Sequence, residues 1–390
     1  MLKESNLISR ALYFLSAFAV LTACGLRGGA ERNDLYVIEF GLDDSAAVSL
    51  MADVSPTGVV INNGGESINL THCGDGCYGV PVFGGAIRGS WIEDVFYGVW
   101  IDSLRPGNYS VPLKISPRNT FINVTEVKDT SISSWATSLG RLNLKQFGDS
   151  VLATVLTPTG DYRYLSGVMP GGELDLGTFD GAHLFHFSAT IKGDSMVDGV
   201  FKSGTHYTGA WSGVRGGVEV SWSGLQSANA GEEVVFSGVR SDGGTERWTR
   251  DRIRREGKKM LVVDVMGTWC PNCLDEARLL LELRELYPDV LFLSVAFERG
   301  GEEVVLKRLS AFKDELGIGW DMLYGGGASK VEADSVMKFI GGVMSFPTTA
   351  FIPLSGPVVV HAGFSGPATG KHYESEVKFF KSAIEEMLSR

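Results

Sequence analysis

The chain has 390 residues, and 35 Lys and Arg against 46 Asp and Glu leave a net charge of −11 at pH 7. A hydrophobic content of 44% with 21% charged residues excludes wholesale disorder and a polytopic membrane protein, and the length predicts two or three domains with cores of their own. The acidic balance, with few basic clusters, argues against nucleic acid as a partner, and five cysteines are too few for a disulfide-built scaffold.

Lys3 and Arg10 precede an apolar stretch at 11–23, which is too short to span a bilayer but suits the central part of a signal peptide. The stretch ends in Leu21-Thr22-Ala23-Cys24-Gly25. This resembles the lipobox of bacterial lipoproteins, where the cysteine is acylated and becomes the new N-terminus; an ordinary signal peptide or a buried helix with a chance cysteine is the alternative. The resemblance implies a signal peptide at 1–23, lipidation at Cys24, a tether at 24–33 and attachment to a lipid bilayer. It also implies an extracytoplasmic protein, on the periplasmic side in a Gram-negative bacterium, where disulfides persist.

Between 34 and 245 the pattern is one of short strands. Val111, Leu113 and Ile115 alternate with Pro112 and Lys114, and Phe185, Phe187, Ala189 and Ile191 alternate with polar residues. Turn signals such as Pro170-Gly171-Gly172 are dense, and eighteen glycines fall between 160 and 244. This predicts an all-β sandwich or jelly-roll-like domain. Within it, Cys73-Gly74-Asp75-Gly76-Cys77 is expected to close a structural disulfide, with a redox-active pair or a metal site including His72 as alternatives. The stretch 246–259 holds seven basic and three acidic residues and is expected to be a charged linker or short helix. A fragment from about Arg252 onward should then fold alone.

From 260 to 390 strands alternate with helical periodicity, which predicts an α/β domain with a mainly parallel sheet. Leu261 to Met266 reads as a central strand interrupted only by Asp264. Trp269-Cys270-Pro271-Asn272-Cys273 then opens a helix. A cysteine at a helix N-terminus meets unpaired N–H groups that favour thiolate, and the spacing brings both sulfurs to one turn. Cys270, at an exposed helix start, is expected to attack a disulfide, and Cys273 to resolve the mixed disulfide. Zinc would need a second ligand pair, and none follows, so no metal is expected. Asp264 and Glu276 are the carboxylates placed to carry the proton of Cys273, although a structural pairing of Asp264 with Lys259 is an alternative. Ser345-Phe346-Pro347-Thr348-Thr349 suggests a cis peptide before a strand, leaving the Phe346 backbone to pair with substrate.

With Gly267-Thr268-Trp269-Cys270-x-x-Cys273, Glu276, Phe346-Pro347-Thr348-Thr349 and Gly363 in view, the last 140 residues resemble the thioredoxin superfamily. Within it they are similar to the membrane-anchored TlpA/ResA-like thiol-disulfide oxidoreductases, lipoprotein members with an N-terminal β domain. The resemblance implies a central sheet flanked by helices and assigns function to Cys270, Cys273, Glu276 and Pro347. Trp269 and Asp264 complete the expected catalytic set, and Phe346, Thr348, Pro271 and Asn272 are expected to meet substrate. Pro271 followed by Asn272 departs from the family, which has Pro at the second position between the cysteines. Together these readings predict an extracytoplasmic enzyme that reduces or exchanges disulfides of protein substrates. Its electrons would come from a membrane dithiol donor, and no cofactor is needed beyond its own dithiol. The rivals are a lipoprotein binding module with an accessory redox domain and a peroxiredoxin-like peroxidase; for the latter, Gly267 stands where a Thr is required.

Overall fold

The computed structural model describes residues 34–105, 107, 109–118, 130–217, 225–228 and 231–389. The expected signal peptide, tether and Cys24 lie outside them. The chain is mostly β, with barrel-like sheets and few helices.

Period-2 alternation builds the first module. β1 (Asp34–Asp43) to β8 (Ser110–Pro117) pair antiparallel in chain order, and β1 closes onto β8. Ile38, Phe40, Ile61, Phe96 and Ile115 fill the interior. This is a closed barrel rather than the expected sandwich. Alternation is the same in both, whereas the pairing of the first strand with the last, which decides closure, leaves no mark in the pattern. Cys73 and Cys77 are disulfide-bonded at the turn from β4 (Glu66–Gly74) to β5 (Cys77–Gly79).

A second antiparallel sheet of nine strands runs from β9 (Thr130–Thr137) to β17 (Tyr207–Arg215). Its strands β10 (Gly140–Phe147) and β11 (Ser150–Thr157) also pair with each other, which curls the sheet around Trp135, Leu144, Leu176 and Phe187. The single predicted β domain is therefore two modules.

The third sheet begins earlier than expected. It comprises β18 (Leu225–Ser227), β19 (Val235–Val239), β20 (Thr245–Thr249), β21 (Met260–Met266), β22 (Val290–Glu298), β23 (Asp321–Gly327), β24 (Thr348–Pro353) and β25 (Val359–Ala362). The spatial order is β18-β25-β24-β21-β22-β23-β19-β20. Five helices accompany it: α1 (Arg250–Arg255), α2 (Pro271–Leu286), α3 (Glu302–Leu316), α4 (Lys330–Val336) and α5 (Lys371–Leu388). Only β21–β22 and β22–β23 are parallel, and the other five pairings are antiparallel, so the sheet is mixed and not mainly parallel. The short strands before 250 carry no helical punctuation and were indistinguishable in pattern from those of the β modules.

The stretch 246–259 is not a linker. Trp248 in β20 and Ile253 in α1 are buried against the third sheet, and the charges around them pair locally, with Arg252 bonded to Glu246 at 2.6 Å. Two apolar residues at the right spacing outweigh seven basic ones because the latter stay in solvent or find partners. A fragment starting at Arg252 lacks β18 to β20, and with them Val234, Phe236 and Trp248 from its core. We expect it to lose cooperative unfolding in urea, whereas the full chain unfolds with a sharp transition; a sharp transition in the fragment would show those strands to be dispensable.

Candidate active site

Parity along β21 places the first carboxylate. Leu261, Val263 and Val265 enter the core under α1 and α4, and Met260, Val262 and Met266 enter the core shared by α2, α3 and α5. Asp264 falls on the second face, beneath the helix that carries the cysteines. It is buried, and Lys259, its alternative partner, pairs instead with Asp289 at 3.1 Å.

The turn after β21 is pinned from the neighbouring strand. Buried Glu298 accepts the Thr268 backbone N–H at 2.5 Å, the Thr268 hydroxyl at 3.0 Å and Arg308 at 3.0 Å. The Trp269 indole donates to the Phe297 carbonyl at 2.9 Å. Cys270 is thereby held as the N-cap of α2, with extended backbone, and Pro271 occupies the first helical position, where its missing N–H costs nothing. The Cys270 sulfur accepts the backbone N–H of Cys273 at 3.3 Å and lies 3.5 Å from the Phe346 carbonyl, to which its thiol donates. The Phe346–Pro347 peptide is cis, as expected. Both cysteines are free thiols.

Cys273, fully buried, has its thiol pushed well above the usual range, first by burial and then by Cys270 and the charge of Asp264. Burial pushes Asp264 up to about 7, against a 3.3 Å hydrogen bond from Ser294. Glu276 is raised well above its usual range by burial and then by Asp264, while Thr349 donates a hydrogen bond to it. One oxygen of each, Oδ1 of Asp264 and Oε2 of Glu276, has no hydrogen-bond partner. The charge of Asp264 adds to the upward push on Cys273, and Cys270 adds a small one to that on Glu276.

Cys270 is not at an exposed helix start. It is only 7% exposed, within an apolar cluster that Phe83, with Val82 and Ala182, joins from the two β modules and that includes Trp269. Three of the four residues expected to meet substrate are engaged inside the chain. The Asn272 amide donates to the carbonyls of Phe364 at 2.9 Å and Asp161 at 3.4 Å, the buried Thr348 hydroxyl donates to Ser345 at 2.7 Å, and Pro271 is buried. Phe346, partly open like Asn272, has no such hydrogen bond and stands edge-on to Trp269 with ring centroids 5.5 Å apart.

A buried ionic cluster next to the dithiol helix had no counterpart in the sequence reading. Arg163, between two strands of the second sheet, donates to Glu66 of the barrel at 2.7 Å and to Asp275 of α2 at 2.9 Å. Asp161 accepts the N–H groups of Arg163 at 2.5 Å and Gly366 at 2.6 Å. Burial raises Glu66 and Asp161 to about 7 each. An isolated Arg in a turn gives no signal of burial, and only its φ of 55° in the structure marks the position as unusual for a side-chain-bearing residue. Replacing Arg163 with Met should destabilise the protein by about 3 kcal/mol near neutral pH, since two buried carboxylates lose their cation. The loss should shrink in acid, as Glu66, raised to about 7 by burial, protonates; urea unfolding at about pH 5 and about pH 8 reads it, and equal losses would contradict the ionic account.

Among the described residues, no group of three or more His, Cys, Asp or Glu is arranged to hold a metal ion. No family model and no curated protein matches the chain. Solved structures with partial similarity include a secreted disulfide oxidoreductase of Mycobacterium tuberculosis homologous to E. coli DsbE, at 18% identity over 33% of this chain and 83% of that one, with a TM-score of 0.26. A thiol:disulfide interchange protein of the thioredoxin family from Chlorobium tepidum aligns at 22% identity over 37% and 93%, with a TM-score of 0.26. The thioredoxin domain of a thiol-disulfide oxidoreductase from Bacteroides vulgatus aligns at 16% identity over 40% and 98%, with a TM-score of 0.29. Scores at that level carry no weight beside the geometry of the site itself.

Proposed function

We propose that this chain is an extracytoplasmic thiol-disulfide oxidoreductase of the TlpA/ResA-like kind, reducing or exchanging disulfides of protein substrates through Cys270 and Cys273. The supporting observation is a helix-capping sulfur that accepts the N–H of a second, fully buried cysteine one turn on, beside a cis peptide at Pro347. In the first exchange the Cys270 thiolate attacks one sulfur of the substrate disulfide. That bond breaks, a Cys270 mixed disulfide forms, and the other half leaves as a thiolate that takes up a proton. Cys273 then gives its proton to the Asp264 carboxylate and attacks the Cys270 sulfur. The second half leaves, a Cys270–Cys273 disulfide remains, and two electrons have passed to the substrate.

The oxidised pair must be reset by a dithiol, which for a protein tethered through Cys24 is a membrane donor. The proposed anchor is read from Leu21-Thr22-Ala23-Cys24; among the described residues, no helix is long and apolar enough to cross a membrane. Cys24→Ser should release or misprocess the protein; a mutant that stays in the membrane fraction at unchanged mass would remove the anchor. The activity itself is tested by mixing the pre-reduced protein with insulin and mapping thiols by mass spectrometry. Loss of two thiols at Cys270 and Cys273 with separation of the insulin chains is expected, and an unchanged thiol count would sink the reading.

A further inference from the structure

Beside Trp269 the β modules leave a cleft of about 60 Å³ lined by Phe83, Asp102, Arg105, His183, Trp269 and Arg299. The cleft thus joins groups from all three modules at the edge of the dithiol site. Its charges do not cancel. Asp102 is taken by Arg105 at 3.0 Å, and His183 is engaged by Asp180 at 3.3 Å. Glu298, the chain neighbour of Arg299, is turned inward and occupied by Thr268 and Arg308. Among the described residues no carboxylate pairs with Arg299, whose guanidinium lies over the Trp269 ring at 5.0 Å. Partial burial and Arg105 push Arg299 down, against the opposing charges of Asp102 and Glu298. The lining itself carries two guanidiniums and one carboxylate at the tryptophan next to Cys270, on a chain whose net charge is −11.

The cleft's size suits a group of a few heavy atoms and not a folded segment, since a water takes about 30 Å³ of liquid volume. A planar carboxylate matches both that size and the fork geometry of a guanidinium. We propose that this cleft is a carboxylate subsite of the dithiol site, in which Arg299, opposite Arg105, selects disulfides bearing a carboxylate a few bonds from the sulfur. An acidic residue flanking a cysteine in an extended protein segment supplies that arrangement. The inference rests on the dithiol reading and adds to it the chemistry of the preferred substrate. It also gives the β modules a part in selection, because Arg105 belongs to the barrel and Arg299 to the third sheet.

The test is single-turnover oxidation of the pre-reduced full-length protein by three small disulfides of different charge: 5,5′-dithiobis(2-nitrobenzoate), bis(2-hydroxyethyl) disulfide and cystamine. In each case the protein dithiol loses two electrons, and the probe becomes two thiols, so no further reductant is needed. Comparing Arg299→Gln with the unmodified protein on each probe cancels their different intrinsic reactivities. The dianionic probe should react about tenfold more slowly with Arg299→Gln, the neutral probe at an unchanged rate, and cystamine faster, with salt shrinking the contrasts. Arg299→Lys should restore most of the loss on the dianion. Equal losses on all three probes would show that Arg299 acts only by packing on Trp269, and no loss on the dianion would show that the cation is idle; either overturns the subsite. Failure of the unmodified protein to react with any probe would instead sink the dithiol reading, a distinguishable result.

Discussion

Cys273→Ser stops turnover after the first exchange and leaves the substrate joined to Cys270. The hydroxyl that replaces the thiol is close in size and remains beneath Cys270 at the first turn of α2, so the helix cap and the attack by Cys270 are retained. It cannot displace a sulfur, however, and the mixed disulfide has no internal route to resolution. Steady-state disulfide reduction should fall on the order of 10³-fold or more, as when one member of a unit that acts together is removed. Non-reducing gels should show adducts that disappear with reductant and that are absent from the Cys270→Ser, Cys273→Ser double mutant. Adducts of equal yield in Cys270→Ser alone would reverse the roles of the two cysteines. The near-complete burial of Cys270 bears on the substrate as well: only an extended or small disulfide reaches a sulfur on a residue 7% exposed.

The second large effect concerns the buried carboxylates, and the structure separates them. Asp264, whose charge adds to the upward push on Cys273, is held at about 7 by burial, so near neutral pH it passes between proton holder and proton acceptor. Resolution of the mixed disulfide should therefore accelerate as pH rises through about 7, as Asp264 becomes the carboxylate that takes the Cys273 proton. Asp264→Asn should slow that step on the order of 10² to 10⁴-fold and move the rise to higher pH, where Cys273 ionises unaided. Glu276→Gln should have the smaller effect. Rapid-quench measurement of adduct decay across about pH 6 to 9 reads both, and a double mutant with an unmodified profile would return both residues to structural roles. The same group has a stability signature. Its folded pKa lies above the unfolded carboxylate value, so between about pH 4 and about 7 the folded chain holds a proton that the unfolded chain has released. The reduced protein should lose stability as pH rises through that window, and Asp264→Asn, neutral throughout, should flatten the slope.

The positions of the reacting groups were legible because they depend on local order. A cysteine pair at helical spacing after an apolar strand, a lone acid at a known parity in that strand, and Pro347 before another strand are features of contiguous residues. The structure brings all of them together around one helix end. What covers that helix end was not legible. Phe83, Asp161 and Arg163 reach it from more than 100 positions away in the chain and Ala182 from 88, and nothing in their local patterns distinguishes them from other turn residues. The boundary of the third sheet was misplaced for a related reason. Trp248 and Ile253 sit among so many charges that composition points to a solvated linker, while their burial depends on contacts with β22, β23 and the residues after α4. Closure of the barrel, too, depends on one long-range pairing, of β1 with β8.

The Arg163 cluster carries a consequence for how such a chain can be assembled over time. Its cation comes from one module and the two carboxylates it bonds from the two others, so each module holds a buried charge that a neighbour helps to neutralise, Asp275 having a second partner in Arg278 of its own helix at 3.1 Å. The third module transplanted onto a different partner would arrive with Asp275 left to Arg278 of its own helix, and the barrel without the arginines that Glu66 meets here. The three modules therefore travel as a set. Exchange of one against a foreign counterpart requires compensating changes at the charged positions before it is tolerated.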